Sequence, residues 1–293
     1  MPDLPTPPEL PENVLDLSLK TRAWNGVRVD VVEYACAGRV VHLVGSEEDA
    51  RLGVILDEIG RGRCEPRLVA SKPCALPYRP RQMHFAPAGL PVWGYTEDSR
   101  FVRAVNLNFD AADLQARLRI EPKGGAADTP RMRFNDDRIW SLVKLLAEAV
   151  DDPDPSSQLY GDSLMAAIAA RLFAAPATAS RAGARLSAQQ LRDAIAFMDA
   201  QLPTRVDLST LAALAGLSQS HYSRAFKAST GVAPYQWQLQ ARIERAKHLL
   251  FHTRASLEDV AEATGFADAV HFGRTFRRVA GITPAAWRAD RLS

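Results

Sequence analysis

The stretch Gly216–Trp237, GLSQSHYSRAFKASTGVAPYQW, is answered later in the chain by Gly265–Arg288, GFADAVHFGRTFRRVAGITPAAWR. The correspondence is position by position. Leu208, Leu211, Ala212, Gly216 and Leu217 recur 49 residues on as Leu257, Val260, Ala261, Gly265 and Phe266. Tyr222, Arg224, Phe226, Lys227, Gly231, Pro234 and Trp237 recur 50 residues on as Phe272, Arg274, Phe276, Arg277, Gly281, Pro284 and Trp287. A repeat of this length is one supersecondary unit used twice. Each unit predicts a short helix starting at Leu208 or Leu257, with a small residue, Ala212 or Ala261, where a second helix crosses. Gly216 or Gly265 then supplies the positive φ that ends the first helix in a tight turn. The second helix turns Tyr222 and Phe226, or Phe272 and Phe276, inward at i, i+4 spacing. Two helix-turn-helix units in register are a far more specific pattern than one; a helical array for protein contacts is the competing structural reading.

Charge agrees with a phosphate-facing module. From Arg185 onward there are fourteen Lys and Arg against nine Asp and Glu, while the preceding 184 residues hold 22 and 25. A basic C-terminal part on a slightly acidic N-terminal part suggests a nucleic-acid surface attached to something else. The three cysteines, Cys36, Cys64 and Cys74, form no CxxC, which argues against a zinc knuckle or disulfide framework and for reduced thiols. No run approaches about eighteen apolar residues, and MPDLPTPPELPE lacks the pattern of a secretion signal, so the expectation is a cytoplasmic protein.

Working backwards, Ser187 caps a helix to about Gln201, with Leu191, Ile195 and Met198 on one face. Residues 176–186 are Ala-, Ser- and Gly-rich and read as a linker. From Trp24 to Asp110 short β-branched runs broken by Gly or Pro (VRVDVVEY, RVVHLV, RLGVIL, RLVAS, QMHFAP, FVRAVNLNF) read as strands of a barrel or sandwich. Asp110 caps a helix over AADLQARL, and two more apolar-periodic segments follow near Asp136–Val150 and Tyr160–Ala174. They form either a dimer surface or a cover for the strands. Residues 1–12 read as a flexible arm.

At the two quoted stretches the chain resembles the C-terminal domain of the AraC/XylS family of transcription regulators, over about residues 187–293. In that family two helix-turn-helix units are held by a linker helix, here about 234–252, so that both recognition helices enter successive major grooves of double-stranded DNA. The resemblance implies an α+β chain of two domains. Residues 1–175 would be an effector-sensing and dimerisation domain, with a cupin-like β-barrel at about 24–110 and helices at about 111–175. Residues 187–293 would be the all-α DNA-binding domain, with units at 208–230 and 257–280. Carried over by position, Ser220, His221, Ser223 and Arg224 face DNA from the first recognition helix, with Arg224 on guanine O6/N7 or on a phosphate. Ala269, Val270, Gly273 and Arg274 do so from the second. Three of those four are small or apolar, which departs from the usual pattern and points to thymine methyl contact or to little direct readout. Lys227, Arg274, Arg277 and Arg278 lie near phosphates. The first unit then carries specificity and the second affinity. Trp237, Trp287, Phe226 and Phe276 read as core, and His248 with His252 as a pair without a third metal ligand.

Family members of this length sense a small ligand in the barrel, and Gln82–Tyr95, QMHFAPAGLPVWGY, resembles a strand and turn of it. Trp24, His42, Tyr78, His84, Trp93 and Tyr95 are the polar and aromatic candidates. With only His42 and His84 and no HxH, no metal and no cofactor are expected. Arg63 and Arg67 have the RxxxR spacing that resembles the cyclic-di-GMP motif of PilZ domains, without its companion motif. The effector is a sugar, an aromatic acid or similar metabolite, or cyclic-di-GMP. The expected assembly is a homodimer that activates transcription through RNA polymerase. Two readings compete: an alkyltransferase of DNA repair fused to the same module, which would need an activated cysteine, and a regulator controlled by protein contacts alone.

Overall fold

The computed structural model describes residues 10–44, 48–121, 126–154, 156–174 and 185–292, which fall into two compact units, 1–181 and 182–293. The expected arm at 1–12 and linker at 176–186 lie mostly outside the described residues.

The first unit runs β1 (Val14–Trp24), β2 (Val27–Cys36), β3 (Val40–Leu43), β4 (Ala50–Gly60), β5 (Glu65–Arg67), β6 (Met83–Ala86), β7 (Trp93–Thr96), β8 (Ser99–Phe109), α1 (Ala111–Arg117), β9 (Arg131–Phe134), α2 (Asp137–Ala149) and α3 (Ser157–Leu172). Three strands, β1, β7 and β9, were not anticipated, and the strand expected over RLVAS, 67–71, does not form: only Arg67 is in a strand, at the end of β5, and the chain then turns, with the Lys72 N–H donating to the Val69 carbonyl at 3.0 Å. β1 precedes the first expected strand, although Leu15, Leu17 and Leu19 alternate with Asp16, Ser18 and Lys20. The turn that joins it to β2 is Asn25-Gly26, both at positive φ, the dipeptide that suits a two-residue hairpin. β9 is only four residues long, too short to show a period.

The strands do not close into a barrel. Six form one antiparallel sheet in the order β1-β2-β8-β4-β6-β9, and three form a second in the order β3-β7-β5. The physical reason is length: β3, β5 and β7 span three or four residues each, and among the described residues they pair only with one another. The large sheet has one apolar face and one mixed face. Val27, Val29 and Val31 of β2, with Leu52, Phe85 and Leu107, pack into one core with Ile139, Val143, Leu146, Met165, Ile168 and Leu172 of α2 and α3. The helix pair thus covers the sheet with its inward sides. Alternate residues (Asp30, Val32, Tyr34, Arg51, His84, Asn106) line a cavity between the two sheets. Asp110 caps α1 as read, accepting from the backbone N–H of Ala112 and Asp113 at 2.8 and 2.9 Å.

The second unit is all helix: α4 (Ala188–Ala200), α5 (Leu208–Leu214), α6 (Gln219–Thr230), α7 (Pro234–His252), α8 (Leu257–Ala263), α9 (Ala269–Ala280) and α10 (Pro284–Leu292). Ser187 and Gln190 form a capping box at the start of α4. The repeat is visible in the turns. Gly216 (φ 66°) and Gly265 (φ 75°) each follow the first helix of a unit, and Leu217 and Phe266 donate to the carbonyls of Ala212 and Ala261 at 2.9 Å. A Cβ at Gly216 would meet nothing within 4 Å, whereas at Gly265 it would lie 2.3 Å from the carbonyl oxygen of Pro203. Gly216→Ala should therefore cost only the left-handed backbone penalty, about 1–2 kcal/mol. Gly265→Ala adds an overpacking cost, for a total of about 3 kcal/mol or more. Urea unfolding of the two variants measures the difference, and equal losses would contradict this account of the turn.

Candidate nucleic-acid interface

Each recognition helix has one buried and one open side, and the sequence decides which is which. In α6, Tyr222 and Phe226 are fully buried with ring centroids 5.7 Å apart, and Trp237 of α7 closes on Phe226 at 5.9 Å. In α9, Phe272 and Phe276 are fully buried at 5.6 Å, with Trp287 of α10 at 6.1 Å from Phe276. Those rings are core, except that Trp287 is half-buried and packs against its cluster from the edge. The opposite side of α6 carries Ser220, Arg224 and Lys227, all exposed, with His221 and Ser223 half-buried. The opposite side of α9 carries exposed Val270, Arg274, Arg277 and Arg278, with Ala269 and Gly273 half-buried. All eleven residues singled out from the sequence thus reach two equivalent surfaces.

The N-termini of both helices are fixed by side-chain caps. Ser218 accepts from the His221 N–H at 3.3 Å, and Asp268 accepts from the His271 N–H at 2.6 Å. Both helices end at a left-handed glycine, Gly231 or Gly281, whose N–H returns to the carbonyl of Lys227 or Arg277 at 2.8 and 2.9 Å. A proline starts the helix that follows, at Pro234 and Pro284. Arg224 donates through Nε to the Ser220 carbonyl at 3.2 Å, one turn back on its own helix. Lys227, Arg274, Arg277 and Arg278 form no ion pair among the described residues, so four cations stand open to solvent.

Within the C-terminal unit, the two helix-turn-helix repeats are tied through α7. The Gln238 amide takes both backbone groups of Val206, accepting from its N–H at 2.8 Å and donating to its carbonyl at 3.0 Å. Arg242, one turn further along, donates to the Gly265 carbonyl at 3.3 Å. One helix face therefore grips the segment before α5 and the turn after α8. Neither contact was foreseen, because Gln and Arg at mid-helix carry no sequence signal for such bonds. His248 and His252 lie on the exposed side of α7 with ring centroids 4.2 Å apart and planes tilted by 41°. No group of three metal-binding side chains occurs among the described residues.

In the first unit the cavity encloses about 330 Å³. Of the aromatic and polar candidates, His42, His84 and Tyr95 line it; Trp24 is in the core, and Tyr78 donates to Glu58 at 2.9 Å outside it. Two glycines make room for the imidazoles. A Cβ at Gly53 would sit 2.1 Å from the His84 ring, and one at Gly94 would sit 2.7 Å from the His42 ring. The sequence shows these glycines but not the rings that need them. Arg63 and Arg67 are not brought to one site. Arg63 is exposed beside Glu58 at 3.6 Å. Arg67 is buried, bonded to Glu65 at 2.7 Å and stacked on Tyr95 at 3.3 Å from the ring centroid. Burial pushes the Cys64 thiol up to about 12 and raises Cys36 and Cys74 as well, the opposite of an activated thiolate.

Burial, with Arg51 nearby, lowers His84 to about 4. The unfolded chain protonates this imidazole near 6.5, so the folded state is favoured fully above that pH and loses the advantage as pH falls toward 4. Urea unfolding at pH 7 and pH 4.5 should show the wild type losing about 2 kcal/mol more than His84→Gln. Equal losses would place His84 in contact with water.

A family model described as a helix-turn-helix domain matches residues 211–290. Over 93 residues the chain is 39% identical to the MmsAB operon regulatory protein of Pseudomonas aeruginosa, covering 32% of this chain and 30% of that protein. Over 105 residues it is 33% identical to the HTH-type transcriptional activator RhaS of Escherichia coli, covering 36% of this chain and 38% of that one. A solved transcriptional regulator with an AraC-type DNA-binding domain from Chromobacterium violaceum is 32% identical, covering 35% of this chain and 92% of that chain at a TM-score of 0.34. The chain thus spans 30% and 38% of these two curated relatives, and both are regulators by name.

Proposed function

We propose, from a C-terminal unit that is similar to the AraC/XylS family of transcription regulators, that this chain binds a bipartite DNA site through α6 and α9 as a homodimer whose N-terminal unit senses a small molecule. The observation that carries the DNA reading is the repeated open face: two helices with buried aromatic backs, each presenting unpaired cations, joined by one continuous helix. At 1.5 Å per residue the 19 residues of α7 extend about 28 Å, comparable to the roughly 34 Å of a duplex turn. Recognition helices on either side of α7 then suit two successive major grooves on one side of the duplex.

The two faces divide the work. Ser220, His221, Ser223 and Arg224 can donate and accept hydrogen bonds at base edges, with Arg224 on guanine O6/N7. Ala269, Val270 and Gly273 offer apolar contact suited to a thymine methyl, while Lys227, Arg274, Arg277 and Arg278 hold phosphates. The effector seat is the cavity between the sheets, whose polar and apolar walls suit a metabolite of modest size. It is a better seat than Arg63 and Arg67, whose guanidinium groups already face Glu58 and Glu65. Occupation of the cavity shifts the population of DNA-competent dimer, and activation through RNA polymerase is the outcome that this reading expects.

Binding measured against selected operator sequences at several salt concentrations tests the division. Arg224→Ala should cost about 1–3 kcal/mol and relax the base preference of the first half-site. Arg277→Ala should weaken all sequences alike and reduce the salt slope by about one. A larger penalty for base changes in the second half-site than in the first would overturn the assignment.

A further inference from the structure

β1 is the edge of the six-stranded sheet. It pairs with β2 on one side and with no other strand among the described residues. The hairpin decides which of its backbone groups are free. Across the two-residue Asn25-Gly26 turn, Trp24 and Val27 form the hydrogen-bonded closing pair. Counting back by twos, Arg22, Lys20, Ser18 and Asp16 direct their N–H and C=O groups to β2. Those of Leu17, Leu19 and Thr21 therefore point to the free edge. The side chains sort the same way. Leu17 and Leu19 line the cavity and are 40% and 60% exposed. Asp16 and Lys20 share the opposite face, where Lys20 reaches Asp151. A long edge strand with exposed leucines is a template for strand pairing.

We propose that the strand it pairs with is β1 of a second copy, antiparallel about a two-fold axis through Ser18, so that the two large sheets become one. In that register Leu17 lies opposite the second copy's Leu19, and Asp16 lies opposite the second copy's Lys20, each pair occurring twice by symmetry. Directly opposed side chains have Cβ atoms about 4.5–5.5 Å apart, close enough for both the apolar and the charged pairs. The leucine pairs fall at hydrogen-bonded positions and the ion pairs at non-hydrogen-bonded ones, matching the groups that β2 leaves free. No like charges meet. Moving the axis to Leu17 sets Lys20 against Val14, and moving it to Leu19 sets Lys20 against Ser18, so only the Ser18 axis makes both kinds of pair. The register shift between Val14 and Asp16 ends the regular ladder just beyond the matched segment. The chain's own leading residues are a poor competitor: five of residues 1–11 are proline, which cannot donate to a ladder. Because Leu17 and Leu19 also line the cavity, the seam runs along its rim, and a ligand there touches the interface directly.

The proposal rests on the homodimer reading above and gives that dimer its surface. Opposed residues at a non-hydrogen-bonded position have Cα atoms about 4.5 Å apart, within disulfide reach. The experiment uses the full chain with Ser18→Cys, with Ser163→Cys on the exposed side of α3 as control and the wild type oxidised in parallel, since Cys36 and Cys64 are buried. Sedimentation of the unoxidised wild type gives the assembly state. The expected result is a dimer that Ser18→Cys locks covalently at least tenfold faster than Ser163→Cys. Asp16→Lys should weaken that dimer tenfold or more, and adding Lys20→Asp should restore it. A monomeric wild type would overturn both the homodimer and this surface. A dimer that crosslinks no faster through position 18 than through 163, or that Asp16→Lys leaves intact, would overturn the surface alone.

Discussion

In each half of the C-terminal unit a recognition helix is held by an aromatic pair one turn apart, with a tryptophan from the following helix packed against the second ring. Tyr222, Phe226 and Trp237 do this in the first half, and Phe272, Phe276 and Trp287 in the second. Everything else in this unit is arranged around those two clusters. Losing one buried aromatic ring costs about 3–5 kcal/mol, a large share of the roughly 5–15 kcal/mol by which a domain is stable. Because packing is confined to one side of α6 and α9, the other side is free to be polar and cationic without a desolvation cost. Stability and the proposed recognition occupy opposite faces of the same twelve-residue helices, which is why the pattern can be repeated with different outward residues.

The N-terminal unit solves a different problem. Its large sheet has a dry face against α2 and α3 and a wetter face toward the cavity, and period-two alternation separates them residue by residue. On the cavity side Gly53 and Gly94 leave space that any side chain would fill, and His84 and His42 occupy it. Burial keeps both imidazoles below their ordinary titration range, so each is a neutral group that can donate and accept. The cavity wall combines apolar side chains with these two imidazoles, the Asp30 carboxylate, the Arg51 guanidinium and the Asn106 amide, so it offers hydrogen-bonding and charged groups side by side.

Where the sequence was informative, it was so because a local rule had a single solution. The positive-φ glycines, the Ser187 and Asp110 caps and the inward aromatic rings each follow from spacing, and the repeat doubled every observation. The sheet was less legible. β1 was overlooked although Leu15, Leu17 and Leu19 alternate and Asn25-Gly26 marks its hairpin, because it lies beside a proline-rich start that reads as irregular. Barrel closure was expected because short strands at close spacing suit a barrel and a sandwich equally; whether sheets join depends on ladders between residues far apart in sequence, which no local pattern reports. The Arg63–Arg67 spacing shows the opposite failure: spacing placed two cations near one another in the chain, while burial and carboxylate partners separated their surroundings.

The central claim is that α7 fixes the distance between two DNA-reading helices through Gln238 and Arg242. It is tested most directly by binding the full chain to a series of duplexes in which the spacing between half-sites grows one base pair at a time. A rigid link predicts one sharp optimum near a full helical turn, about 10–10.5 base pairs between half-site centres, with affinity falling to the non-specific level when about half a turn is inserted. Affinity that changes little across the series would mean that the two helices do not engage the duplex together, and would contradict the account.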